Sequence, residues 1–210
     1  MAPTKTRSGA RSFPSASVLA GLGLAAFAAL GAVRYADGPP LAHTGGFGEP
    51  TCLRCHADSP GDSAARLTLD GAPANCAPAR TYPLTLRLVR AGMARAGFQM
   101  SARFTEGTGA GRQAGAFSPL DDRVQVVAGL TATPAGDSAR VEYAQHSVAG
   151  TGLVAPDSAA WTLEWTAPER VGAVALHVAA NAANYDDSEF GDHIAVGAFR
   201  ACHADTREPR

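Results

Sequence analysis

The chain has 210 residues, 46% of them hydrophobic and 18% charged, enough to bury one core of ordinary domain size. Its formal net charge of -1 removes the electrostatic case for a nucleic-acid partner or an anionic membrane surface. Lys5 is the sole lysine, and arginine is not a usable metal ligand, so iron or zinc bound here needs histidine, cysteine, methionine or carboxylate.

Residues 1–36 read as an export segment. Lys5, Arg7 and Arg11 precede an uncharged apolar run from Val18 to Val33. That run is longer than many signal-peptide cores and shorter than the roughly 20 apolar residues that comfortably span a bilayer. A signal peptide cleaved after Ala29-Leu30-Gly31 and a retained N-terminal membrane anchor both fit it. In either case the remainder is expected outside the cytoplasm, in the periplasm or at the cell surface. A disulfide between Cys76 and Cys202 is chemically permitted there, and two free thiols are the alternative.

Residues 37–65 form a connector rich in Gly and Pro, with Pro39, Pro40, Gly45, Gly46, Gly48 and Pro50, and are expected to be extended. Inside it lies Cys52-Leu53-Arg54-Cys55-His56, the spacing of a covalent c-type haem attachment site. Two thiols three positions apart can add to the two vinyl groups of one haem, and the following histidine is then held as an iron ligand. A structural zinc site would need four ligands, and Cys76 and Cys202 are far apart in sequence. A redox dithiol would be expected beside a βαβ pattern, and this chain has none; zinc and a bare disulfide are the remaining alternatives.

From residue 66 to 203 the periodicity is that of strands. Phe98-Gln99-Met100-Ser101-Ala102-Arg103-Phe104 alternates apolar and polar residues, predicting one face in a core and one in water. Trp161 to Thr166 repeats the pattern, as do Tyr82, Leu84, Leu86 and Leu88, and Val174, Leu176 and Val178 opposed by Ala175 and His177. Further segments are Arg66 to Asp70, Val124 to Ala128, Arg140 to Ser147 and Ile194 to Ala201, with turns at 71–73, 107–115, 134–137, 156–157 and Pro168. Many short strands at regular spacing predict an all-β fold, an antiparallel β-sandwich, followed by a polar tail at 204–210. Two packed sheets stand about 10 Å apart and fill the space between them with side chains, so a haem is expected beside the sandwich, bounded by the connector.

His56 follows from the attachment geometry as the proximal iron ligand. For the other side of the iron, His146 lies opposite Val141 and Tyr143 in its strand and is expected to point away from the core. Met93, in the turn from Arg90 to Gly97, is an alternative distal ligand, whereas Met100 shares the apolar face of Phe98 and Phe104. His177 and the connector's His43 are further candidates; His193 and His203 read as surface histidines. The loop Asn184-Tyr185-Asp186-Asp187-Ser188-Glu189, with Asp192, reads as a solvated loop, a calcium site or an acidic patch facing a basic partner. Gly107-Thr108-Gly109-Ala110-Gly111 lacks the strand and helix of a phosphate loop, and neither a zinc-protease motif nor a nucleophile elbow occurs. The chain is therefore not read as an enzyme, peroxidase-like chemistry at an open iron being a minor option.

The order of Gly97 to Arg103, Gln113-Ala114-Gly115-Ala116-Phe117, His146-Ser147 and Trp165-Thr166-Ala167-Pro168 resembles the reeler (reelin-like) domain. It is more similar still to the exported bacterial choice-of-anchor V group, where a Gly-rich segment ends in Cys-x-x-Cys-His, as Gly46 to His56 does here. Ala179 to Asn184 and Gly191-Asp192 also match that group, and the likeness runs from about Gly45 to Ala201. It implies an immunoglobulin-like sandwich. Reeler-like domains without the haem motif tend to carry a histidine at the position of His146, which implies a structural hydrogen bond there. Members of the group often have a C-terminal anchoring tail, whereas residues 204–210 are polar, so any tether is expected from the N-terminal apolar run. The combined expectation is an exported protein with one covalent haem c that passes single electrons to an extracytoplasmic redox partner, its oligomeric state left open. The alternative is a binding or adhesion module for a surface ligand, with the motif structural or a non-redox haem tether.

Overall fold

The computed structural model describes residues 36–56, 65–186 and 188–203, all within the compact unit Arg34–Arg210. The export segment up to residue 35 and the polar tail lie outside the described residues. Nine strands follow the connector: β1 (Arg66–Asp70), β2 (Thr81–Val89), β3 (Arg95–Phe104), β4 (Ala116–Pro119), β5 (Val124–Ala132), β6 (Ser138–His146), β7 (Ser158–Thr166), β8 (Val174–Ala183) and β9 (His193–Ala201). They form two antiparallel sheets, β1-β2-β7-β4 and β5-β6-β3-β8-β9, packed as a β-sandwich.

The alternating residues build the core between the sheets. Leu84, Leu86 and Leu88 of β2 and Trp161, Leu163 and Trp165 of β7 meet Phe98, Met100 and Ala102 of β3 and Leu176 and Val178 of β8, all buried in one cluster. Burying each large apolar side chain contributes about 1.5–3 kcal/mol. Phe98 and Trp161 pack in a tilted arrangement with ring centres 4.7 Å apart. The two indoles also satisfy their N–H groups, Trp161 on the Gly150 carbonyl and Trp165 on the Ala114 carbonyl, each at 2.9 Å. Cys76, before β2, and Cys202, just after β9, are joined in a disulfide with Cα atoms 4.9 Å apart.

Three details differ from the periodicity. β4 is a four-residue strand just after the turn read at 107–115, too short to show a period. β8 continues through Ala179 to Ala183, residues of low strand propensity carried by pairing on both sides, with β3 and β9. The face of β3 expected in water is buried: Gln99, Ser101 and Arg103 are as inaccessible as the core residues between them. The connector covers them.

Candidate cofactor cleft

The connector is a strap laid along the outer face of the five-stranded sheet. Gln99 grips it first, its side-chain oxygen accepting the His43 backbone N–H at 2.6 Å and its amide donating to the Pro40 carbonyl at 3.0 Å and to Gln145 at 2.9 Å. Ser101 meets the Thr44 hydroxyl at 3.4 Å. Arg103 then pairs with Glu49 and donates to the Tyr143 hydroxyl at 2.8 Å. The Tyr143 and Thr131 hydroxyls donate to the same Glu49 oxygen, at 2.6 and 3.2 Å, and the Thr44 hydroxyl donates to the other at 2.6 Å. The Arg103 guanidinium lies between the Phe47 and Tyr143 rings, 5.4 and 5.7 Å from their centres. Gly46 is required by contact: a Cβ there would stand 2.5 Å from the His177 ring.

After Glu49 the strap turns outward and Thr51 caps a 3-10 turn at Cys52–Arg54, its side chain accepting the Leu53 N–H. The Cys55 and His56 amides both donate to the Cys52 carbonyl, at 3.1 and 3.0 Å, so the motif is wound tightly with its side chains converging. Cys52, Cys55 and His56 line one cleft of about 400 Å³ together with Pro40 and His43 of the strap, Gly97 and Phe98 of β3, and His146. That volume falls within the ~300–1,000 Å³ usual for small-molecule and cofactor sites. Both motif cysteines are free thiols, and burial pushes the Cys52 thiol up to about 12 although part of the residue remains exposed. Cys52 is therefore a protonated thiol rather than a nucleophilic thiolate at neutral pH.

His56 is oriented from beneath by β8 and the start of β9. Its Nδ1 stands 2.8 Å from an oxygen of the buried Asp192 carboxylate, while its Nε2 is 3.5 Å from the Asn181 amide nitrogen. This contact does not have the alignment of a hydrogen bond and is electrostatic. Asp192 is itself held by the Asn181 side chain at 2.8 Å and the Asn184 N–H at 3.2 Å. A carboxylate at Nδ1 keeps the proton there and the lone pair on Nε2, the tautomer of metal-binding imidazoles, although here that nitrogen faces the Asn181 amide.

The remaining candidates separate clearly. Val141 and Tyr143, read as core-facing, lie beneath the strap, and it is Ala144 that joins the core. His146 shares the parity of Ala144 but sits where the ladder between β6 and β3 ends, after the pair Gln99 and Gln145. Its ring lies in the place of the missing strand, with Nδ1 3.0 Å from the Phe98 nitrogen and 3.2 Å from the Phe98 oxygen. Gly97 makes room, since a Cβ there would fall 2.6 Å from that ring. Met93, read as a free turn residue, is 4% exposed in the core cluster and does not line the cleft, because the turn closes by a backbone bond to Arg90 and folds the side chain inward. His177 packs edge-on against Phe47 beneath the strap. Asp186 spends its carboxylate on its own loop, accepting from the Ser188 N–H and hydroxyl and the Asn184 amide. No grouping of three or more metal-binding side chains occurs among the described residues. None of their helices is long and apolar enough to cross a membrane.

The residues that sequence reasoning passed over are Glu49, Gln99 and Arg103, while Asp192 reads in the sequence only as part of the acidic loop and not as a partner of His56. An alternating strand whose polar face carries Gln, Ser and Arg beside a Gly/Pro connector is the available signal for the first three. Fold and site together define an antiparallel β-sandwich with an outer strap that carries a Cys-x-x-Cys-His to a cleft. The chain is similar to the solved Reelin-N domain of F-spondin, at 18% identity over 73% of this chain and 97% of that one, TM-score 0.43. It is similar also to the human F-spondin reeler domain, at 17% identity over 69% and 90% of the two chains, TM-score 0.37. No family model and no curated protein matches it.

Proposed function

We propose that the chain is an extracytoplasmic β-sandwich binding protein whose ligand is a covalently attached haem c and whose role is single-electron transfer. The observation that carries this reading is the convergence of Cys52, Cys55 and His56 on one cleft, with the His56 Nδ1 set against the Asp192 carboxylate. The donor set fits the group. Two thiols can form thioethers to one porphyrin edge, and an imidazole protonated at Nδ1 can hold iron through Nε2 once that nitrogen leaves the Asn181 amide. Bound haem would supply a one-electron couple. Arg95, also lining the cleft, offers a guanidinium to carboxylates at its edge. The Cys76–Cys202 disulfide supports an oxidising compartment.

The test is expression in a host that attaches haem c, followed by visible spectra and intact mass. A Soret band, reduced c-type bands and a mass gain of one haem are expected, all lost in Cys52→Ala/Cys55→Ala while the fold remains. A colourless wild-type chain of apo mass would reject the reading. A second reading, recognition of an extracytoplasmic ligand without redox chemistry, draws on Tyr185. That ring is 62% exposed, lines the cleft and carries the Arg95 guanidinium 4.5 Å above it, an aromatic and cationic pair open to a ligand.

A further inference from the structure

We infer that His43, carried by the strap, is the second axial ligand of the iron, and that His146 instead completes the sheet. This deepens the haem reading and rests on it.

Which nitrogen of an imidazole can bind a metal is decided by what the other one meets. The His43 Nδ1 is 2.9 Å from the Leu41 carbonyl oxygen, which can only accept, so the ring proton is on Nδ1 and the lone pair on Nε2. His146 meets the opposite situation. Its Nδ1 stands between the N–H and the carbonyl of Phe98 and can serve one at a time. That N–H is buried at the strand edge where the β6 ladder has ended, and a buried donor left unmade is strongly destabilising. A carbonyl left short of partners is the more readily tolerated of the two. His146 therefore accepts the Phe98 N–H, which puts its proton on Nε2 and leaves that nitrogen no lone pair for iron.

The backbone around His43 is also built to hold it. Ala42 has a φ of 62°, in the left-handed region that is strained for a residue with a Cβ. The kink is held by the His43 N–H bond to Gln99 and by the ring's own bond across Ala42 to Leu41. Gln99 is fully buried and grips Pro40 as well, so both ends of the kink are pinned to the sheet. Backbone strain kept by surrounding contacts is characteristic of ligand-holding positions. His43 and His56 line the same cleft.

The experiment uses the full chain with haem attached. Wild type is expected to show a six-coordinate, low-spin spectrum of bis-imidazole type. His43→Ala, which retains the backbone bond to Gln99, is expected to become high-spin, to bind carbon monoxide at least 10-fold faster and to regain the low-spin spectrum with added imidazole. His146→Asn, whose side-chain oxygen can still accept the Phe98 N–H, is expected to remain six-coordinate. A His43→Ala protein with haem attached and an unchanged low-spin spectrum would overturn the ligand assignment and leave the haem reading standing, as would a five-coordinate wild type. High-spin iron in His146→Asn with His43 intact would transfer the assignment to His146. Wild type without haem ends both.

Discussion

Replacing Glu49 by alanine removes the carboxylate on which the strap and the sheet meet. The Arg103 side chain is 0% exposed and that of Glu49 5%, so the variant leaves a buried guanidinium without its counter-charge. The Arg103 Nε and Nη1 have no hydrogen-bond partner among the described residues, and beyond Glu49 the cation has only the Tyr143 hydroxyl and the Phe47 and Tyr143 rings, none of which carries a counter-charge. Breaking such a pair from one side costs about 3–5 kcal/mol, out of the ~5–15 kcal/mol that keeps a domain folded. The bonds from Tyr143, Thr131 and Thr44 belong to the same network and are not added separately. One route limits the loss: if the strap lifts, Arg103 regains water, and the cost becomes the docking energy of residues 36–56. Urea unfolding followed by the buried Trp161 and Trp165 reads the first outcome, a midpoint lower by about 2 M for an m-value near ~2 kcal/mol/M. Amide exchange in the strap reads the second. The double variant Glu49→Leu/Arg103→Met, apolar on both sides, is expected to recover most of the loss. A drop below about 1 kcal/mol with unchanged strap exchange would falsify the argument that this pair fastens the strap.

Reduction of the Cys76–Cys202 bond, or Cys76→Ser/Cys202→Ser, is expected to lower stability, because the bridge closes a separation of 126 residues. Chain entropy sets a ceiling of about 5 kcal/mol on the effect, and unfolding midpoints equal with and without reductant would contradict it. Burial beneath the strap, with Arg103 a lesser cause, holds the His177 imidazole below the ordinary value of 6.5. The unfolded chain therefore takes up this proton at a higher pH than the folded one, so stability falls as pH drops through about 6.5 and levels off below the folded-state value. His177→Gln is expected to flatten that part of the profile, and an identical slope in the variant would count against burial as the cause.

The core was legible because its strands are wet, or at least polar, on one side. Leu84, Leu86 and Leu88, or Trp161, Leu163 and Trp165, alternate with polar residues, and period 2 is then unambiguous. The motif was equally legible, since Cys52, Cys55 and His56 are adjacent in sequence and the constraint that gathers them is local. What sequence could not give is the second layer on the five-stranded sheet. Gln99, Ser101 and Arg103 read as solvent-facing because alternation reports polarity, and these polar groups are buried against partners more than 50 residues away. The same blindness misassigned the strand of His146. Val141 and Tyr143 are apolar enough to read as core, yet they face the strap. Asp192 was visible only as one member of an acidic loop, and its selection by Asn181 and His56 is a tertiary fact.

One strand sets the positions of the whole strap. Gln99, Ser101 and Arg103 lie at i, i+2 and i+4 of β3, so they stand on one face at about 6.7 Å intervals. Along them the strap advances in order, from Pro40 and His43 at Gln99, to Thr44 at Ser101, to Glu49 at Arg103. The opposite face of the same strand supplies Phe98, Met100 and Ala102 to the core. A slip of β3 by one residue would exchange the two faces, burying a guanidinium in the apolar core and leaving the strap without its anchors. The register that packs the core is thus the register that positions His43 and carries the chain towards Cys52. It follows that the fold of the sandwich sets the position of the cleft. Stability of the sandwich and geometry of the cleft are then perturbed together by changes in β3, and separately by changes confined to residues 52–56.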